Sequence, residues 1–173
     1  VQVTETIPET QLREPPEFQG HFDPHVWFDV SLWIFAAQRT RDALVAVDPA
    51  GREVYERNCA AYLVELATLD RWVREQILTI PKERRVLVTA HDAFGYFGRA
   101  YGIEVRSVQG VTTESEAGVQ DVNNLVDFLV ERRIPAIFVE SSVNSKNIEA
   151  VQEGCVSRGV KVAIGGELFS DAL

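Results

Sequence analysis

The sequence predicts an α/β fold: a four-stranded parallel sheet lobe flanked by helices, preceded by a long helix that runs as a spine between two lobes. Three observations lead there. Beyond Pro81, short apolar runs alternate with helical segments, the pattern of βαβ units. Before it, two long stretches carry apolar residues at steps of three and four. Helix-start and helix-stop residues fall between the apolar runs, where crossover connections need them.

In chain order, Val1 to Thr4 reads as a short strand, and Glu5 to Gly20, with Pro8, Pro15 and Pro16, as a connector. Residues 1–20 are thus expected to be a remnant strand and linker from a lobe outside this chain. Residues 21–80 form a helical pair. Its first member is expected from Pro24 to about Val47, with Val26, Val30, Trp33, Ala37, Leu44 and Val47 on one stripe, a core stripe whose tryptophans are not a binding box. Asp48-Pro49 opens the second, in which Tyr55, Cys59, Tyr62, Leu66, Leu69, Val73 and Ile77 recur up to Leu78. At 1.5 Å per residue such a helix spans about 45 Å, longer than one small lobe requires.

Residues 81–173 form the C-terminal α/β lobe. Strands are expected at 85–90, 104–108, 136–139 and 161–164, and helices near 92–101, 115–132 and 145–157. Thr113-Glu114-Ser115-Glu116 matches a capping box, Asn144 or Ser145 can cap the next helix, and Gly159 suits a helix C-terminus. Both ends of the chain read as cuts, with the last residues starting a new helix.

Composition narrows the function. A chain of 173 residues, 46% hydrophobic and 25% charged, can bury one sizeable core, and no apolar run approaches the roughly 20 residues of a membrane span. Net charge −9 argues against a phosphate-tracking, nucleic-acid-binding surface and is compatible with a cation ligand. Cys59 and Cys155 form no CxxC and read as small core residues, with pairing left open.

The chemistry gathers at one sheet edge. Ligands in open α/β sheets collect at the carboxyl ends of the strands. His91 follows the first strand, Glu140 the third, and Gly165-Gly166 leads from the fourth to Asp171. Separately, His91 and Asp171 could each be helix caps, and Glu140 reads as a solvated or hydrogen-bonded strand-end acid. His25 sits behind Asp23-Pro24, expected as the cap and first residue of a helix, where the helix dipole would disfavour a protonated ring. Two imidazoles and a carboxylate suit zinc, manganese or iron(II), and no thiolates point to a structural zinc cluster. His21 lies outside the helix and reads as a surface residue or a neighbour of the ligands.

The motifs Gly20-His21-Phe22-Asp23-Pro24-His25-Val26-Trp27, Val88-Thr89-Ala90-His91-Asp92-Ala93-Phe94-Gly95-Tyr96-Phe97, Gly110-Val111-Thr112-Thr113-Glu114-Ser115-Glu116-Ala117 and Gly165-Gly166-Glu167-Leu168-Phe169-Ser170-Asp171-Ala172-Leu173, in that order, resemble the metal-specific solute-binding proteins of bacterial ABC importers, of the TroA-like type. The resemblance implies two lobes joined by a rigid helix, zinc or manganese held between them, and delivery to a membrane permease from the periplasm or another extracytoplasmic site, in some cases by a lipid-anchored protein. It implies His25, His91 and Asp171 as metal ligands, with a further histidine in the lobe this chain lacks. A histidine at His91, where manganese-specific relatives often carry glutamate, implies zinc first and manganese second. Two competing classes remain: a metal-dependent hydrolase using the same residues on an activated water, and a metal-free interaction domain docking through the long helix. Without a partner lobe the fragment is expected to self-associate.

Overall fold

The computed structural model describes residues 1–113 and 117–171. Its N-terminus forms turns rather than the expected strand at Val1–Thr4. The backbone satisfies itself locally, with Ile7 N–H donating to Thr4 O at 3.0 Å, because no neighbouring strand offers a ladder. Two single 3₁₀ turns, Glu9–Gln11 and Pro16–Phe18, carry the connector. Ile7 is buried with Val26, Leu32 and Tyr96, and this small core ties the connector to the helices.

The first helix, α1, spans Val30–Val47 rather than starting at Pro24. Val26–Phe28 is a separate 3₁₀ turn with His25 at its N-cap, and the extended backbone of Asp29 breaks the path between them. Asp29, not Asp23, caps α1: its Oδ1 accepts Ser31 N–H at 3.0 Å and Ser31 Oγ–H at 2.6 Å. Pro49–Gly51 then turns the chain into α2, Arg52–Leu78, whose 27 residues extend about 40 Å. Val30, Leu66 and Tyr101 are the buried centre of its contact with α1 and with the helix α3, Gly95–Tyr101. Arg74 of α2 clasps that seam, pairing with Asp70 and donating to Ala100 O at 2.9 Å. Much of α2 still faces outward, including Val64 and Trp72 at 67% and 55% exposure.

The remaining elements are β1 Val86–His91, β2 Glu104–Gln109, α4 Val119–Arg132, β3 Ala136–Glu140, α5 Lys146–Ser157 and β4 Ala163–Leu168. The four strands form parallel ladders, β1 with β2 and β3 with β4, and β1 lies against β3. The two ladders are separate: at the seam the His91 amide donates to the Glu140 carboxylate, Oε1, at 2.8 Å rather than to a backbone carbonyl. One core fills the lobe, in which Val88, Ala90, Leu129, Ile137, Ile148 and Cys155 are all buried. Both cysteines are buried and free, so they are core residues and form no disulfide.

The helix ends follow side-chain chemistry. The capping box expected at Thr113 to Glu116 lies partly outside the described residues, and α4 begins later, where Gly118 N–H donates to Asp121 Oδ2 at 2.9 Å. Asn144 Oδ1 accepts Lys146 N–H at 3.0 Å and caps α5. Past its other end Gly159 takes φ +76°, and Val160 N–H returns to Cys155 O at 3.0 Å, the left-handed stop expected there. Among the described residues, no helix is long and apolar enough to cross a membrane.

Candidate metal site

Three carriers bring the site together. His91 is the last residue of β1 and Glu140 the last of β3, so both belong to strands rather than following them. Asp171 comes after β4, whose register against β3 shifts between Ile137 and Val139. The shift falls at Gly165-Gly166. A Cβ at Gly165 would meet the Phe138 ring at 2.7 Å, and Gly166 takes φ +146°, so only glycines fit this kink. Past it the chain turns inward through buried Ser170 to Asp171.

His25, His91 and Asp171 meet: each offers a ligand atom, and all three atoms lie within 4.8 Å of one another. His25 Nε2 is 3.0 Å from Asp171 Oδ1, and His91 Nε2 is 3.4 Å from Asp171 Oδ2. The imidazoles stand edge to face, ring centroids 5.3 Å apart. His25 and His91 are 3% and 0% exposed. His21 stays outside, exposed and against Phe18.

Each imidazole is turned by a buried carboxylate. Asp23 Oδ1 accepts both the His25 amide at 2.9 Å and His25 Nδ1–H at 2.7 Å. The cap role expected of Asp23 therefore survives as a turn around His25 itself. Asp23 is in turn anchored: its Oδ2 pairs with Arg13, its amide donates to Arg13 O at 2.8 Å, and its carbonyl accepts Tyr96 Oη–H at 3.0 Å. For His91, Glu140 holds the amide through Oε1 and brings Oε2 to 2.6 Å from Nδ1. That approach is close but poorly aligned, and neither Oε2 nor either His91 ring nitrogen completes a hydrogen bond of ordinary angle. In both cases a carboxylate lies against Nδ1 and Nε2 is left facing Asp171, the arrangement that orients metal-binding histidines. Sequence reasoning assigned Glu140 as a solvated or hydrogen-bonded acid but not its partner, and missed Asp23 and Trp27 as neighbours of the site. The Asp-Pro-His spacing was a usable signal for Asp23, since a side chain two residues upstream can reach an amide and a ring at once.

The expected helix-dipole effect on His25 does not operate, because a single 3₁₀ turn follows it rather than a helix. Burial pushes its pKa down, yet the Asp23 hydrogen bond and charge, with the charge and hydrogen bond of Asp171, outweigh burial and hold it above the ordinary value. Both His25 ring nitrogens face carboxylates, Nδ1 that of Asp23 and Nε2 that of Asp171.

The donor set fits a transition-metal ion. A buried Nε2 on His91 without a hydrogen-bond partner is costly unless something completes it, and two imidazoles with one carboxylate match zinc or manganese.

Comparison with known proteins agrees in kind. The model of the family described as the periplasmic component A of the zinc-uptake complex, ZnuA, matches residues 1–173. The zinc-binding protein TroA of Treponema pallidum is 49% identical over 173 residues, covering all of this chain and 56% of that protein. The manganese-binding lipoprotein MntA of Bacillus subtilis is 46% identical over 171 residues, covering 99% of this chain and 56% of that protein. In three dimensions the solved periplasmic zinc-binding TroA superposes with a TM-score of 0.96 at 48% identity, over 100% of this chain and 62% of that one. The chain therefore spans little more than half the length of these relatives.

Proposed function

Because the chain belongs to the ZnuA family of periplasmic zinc-uptake components, we propose that the whole protein captures a divalent transition metal outside the cytoplasm and hands it to an ABC permease. Zinc is the foremost ion and manganese the second. His25, His91 and Asp171 are the ligands this chain contributes, and residues 81–173 are the C-terminal lobe, with residues 21–80 supplying His25 and the spine. The supporting observation is the buried, partnerless Nε2 of His91 aimed with His25 at one carboxylate. Three ligands leave tetrahedral zinc one position short, and a residue of the portion outside this chain completes the shell. The ion is cargo, and the neighbouring buried carboxylates are turned to the imidazoles, Asp23 bonded to His25 Nδ1 and Glu140 Oε2 lying 2.6 Å from His91 Nδ1. That weighs against a hydrolase.

Calorimetric titration of zinc into the metal-stripped chain, beside a His25→Ala, His91→Ala variant, tests the reading. One site per chain that vanishes in the variant is the expected result; equal heats in both proteins overturn it. The outward apolar face of α2 also supports self-association of the isolated chain. Sedimentation across a wide concentration range that shows only monomer overturns that part.

A further inference from the structure

Of the three site residues, Asp171 alone meets solvent, its side chain 32% exposed while both imidazoles are buried. What holds Asp171 there acts on Ser170. The Trp27 indole N–H donates to the Ser170 carbonyl at 3.2 Å, and the Ser170 hydroxyl meets that of Ser142, just past β3, at 2.6 Å. Trp27 also stands edge-on to the His25 ring, centroids 5.3 Å apart, and tilts against Phe28 at 5.9 Å, which packs on Phe94 at 4.4 Å. One side chain therefore touches one ligand and grips the backbone next to another. Trp27 as a whole is 37% exposed, so burial alone does not account for a tryptophan there.

We propose that Trp27 is the latch of the metal site: its indole N–H pins the Ser170 carbonyl, keeps Asp171 over the two buried imidazoles, and sets how long an ion stays. Trp27 is a positioning residue that touches no metal. The proposal rests on His25, His91 and Asp171 being the ligands. A lost neutral hydrogen bond frees Asp171 about fivefold more often, and the change falls on release, because the open site is the same with or without the latch.

Trp27→Phe keeps the ring's packing and removes the N–H. Zinc release from the loaded chain into excess EDTA, followed by stopped flow, is expected to be about fivefold faster in Trp27→Phe, with the association rate unchanged. A merely structural defect would instead lower the number of sites or slow association. Ser142→Ala removes the other hold on Ser170, is expected to give a smaller rise, and carries the test if Trp27→Phe does not fold. Release within twofold of the unsubstituted chain in whichever variant is soluble overturns the latch, as does release from the unsubstituted chain that is complete within the mixing time. An unsubstituted chain that takes up no zinc overturns the ligand assignment and the latch together; one that loads normally, with variants that release at its rate, overturns the latch alone.

Discussion

His25 and His91 present the same ring nitrogen to the same carboxylate, yet they are held by different means. His91 ends a strand in the lobe's core, and a single residue, Glu140 on the adjacent strand, holds both its amide and its ring. His25 stands on one 3₁₀ turn, and its position depends on a chain of side chains from Asp23 to Arg13 and Tyr96. A ligand built into a sheet is placed by backbone geometry. One built on a turn is placed by a polar network, and it also inherits that network's charge, which outweighs burial and raises the His25 pKa.

The largest break in this comparison is expected from Glu140→Ala. It removes the acceptor of the buried His91 amide and the carboxylate that lies against the ring, so zinc affinity should fall about 10–100-fold and the fold should lose about 1–3 kcal/mol, read by calorimetry and thermal melting. Asp23→Asn should cost less, about tenfold in affinity, because its amide oxygen can still accept from His25. Equal losses of fold stability in the two variants would erase the distinction between sheet and turn.

The same pair sharpens the pH argument. The folded pKa of His25 is raised, so its contribution to the stability of the metal-free chain is complete below the unfolded value of about 6.5. That contribution disappears as pH rises through the folded value. Zinc binding runs the other way, weakening as pH falls through the raised pKa, since the ion must displace the proton. In Asp23→Asn the midpoint should move down, because the strongest raising influence is gone while burial remains; the His25 ring signals in an NMR titration read it directly. A midpoint that stays put would assign the shift to Asp171 alone. The smallest effect belongs to His21→Ala, expected to leave zinc affinity within about twofold, since His21 only packs on Phe18.

Several features were legible in the residues because they depend on neighbours in the chain. The alternation after Pro81 reports parallel strands and crossover helices, and Gly159 reports a helix stop, through local sterics alone. His91, Glu140 and Asp171 could be assigned to one sheet edge from their places at or after strand ends, and the motif order tied His25 to them. The boundaries were less legible. Asp23-Pro24 looks like a helix start, but the better cap, Asp29, lies six residues on, and the choice between them depends on Asp23 being claimed by His25 and Arg13. The strand expected at Val1 to Thr4 is a turn closed by the bond from Ile7 N–H to Thr4 O.

The sequence by itself determined the fold class, the family, the long helix and the residue types that meet at the sheet edge, since periodicity, caps and motifs are short-range physics. Only the tertiary structure decided that the sheet divides into two ladders, that Asp171 comes to lie beside His25 and His91, and that Asp23, Glu140 and Trp27 contact the two imidazoles or the backbone next to Asp171. Each of those depends on a distance or an angle between groups far apart in the chain, and such distances are set by packing the whole core rather than by the residues on either side.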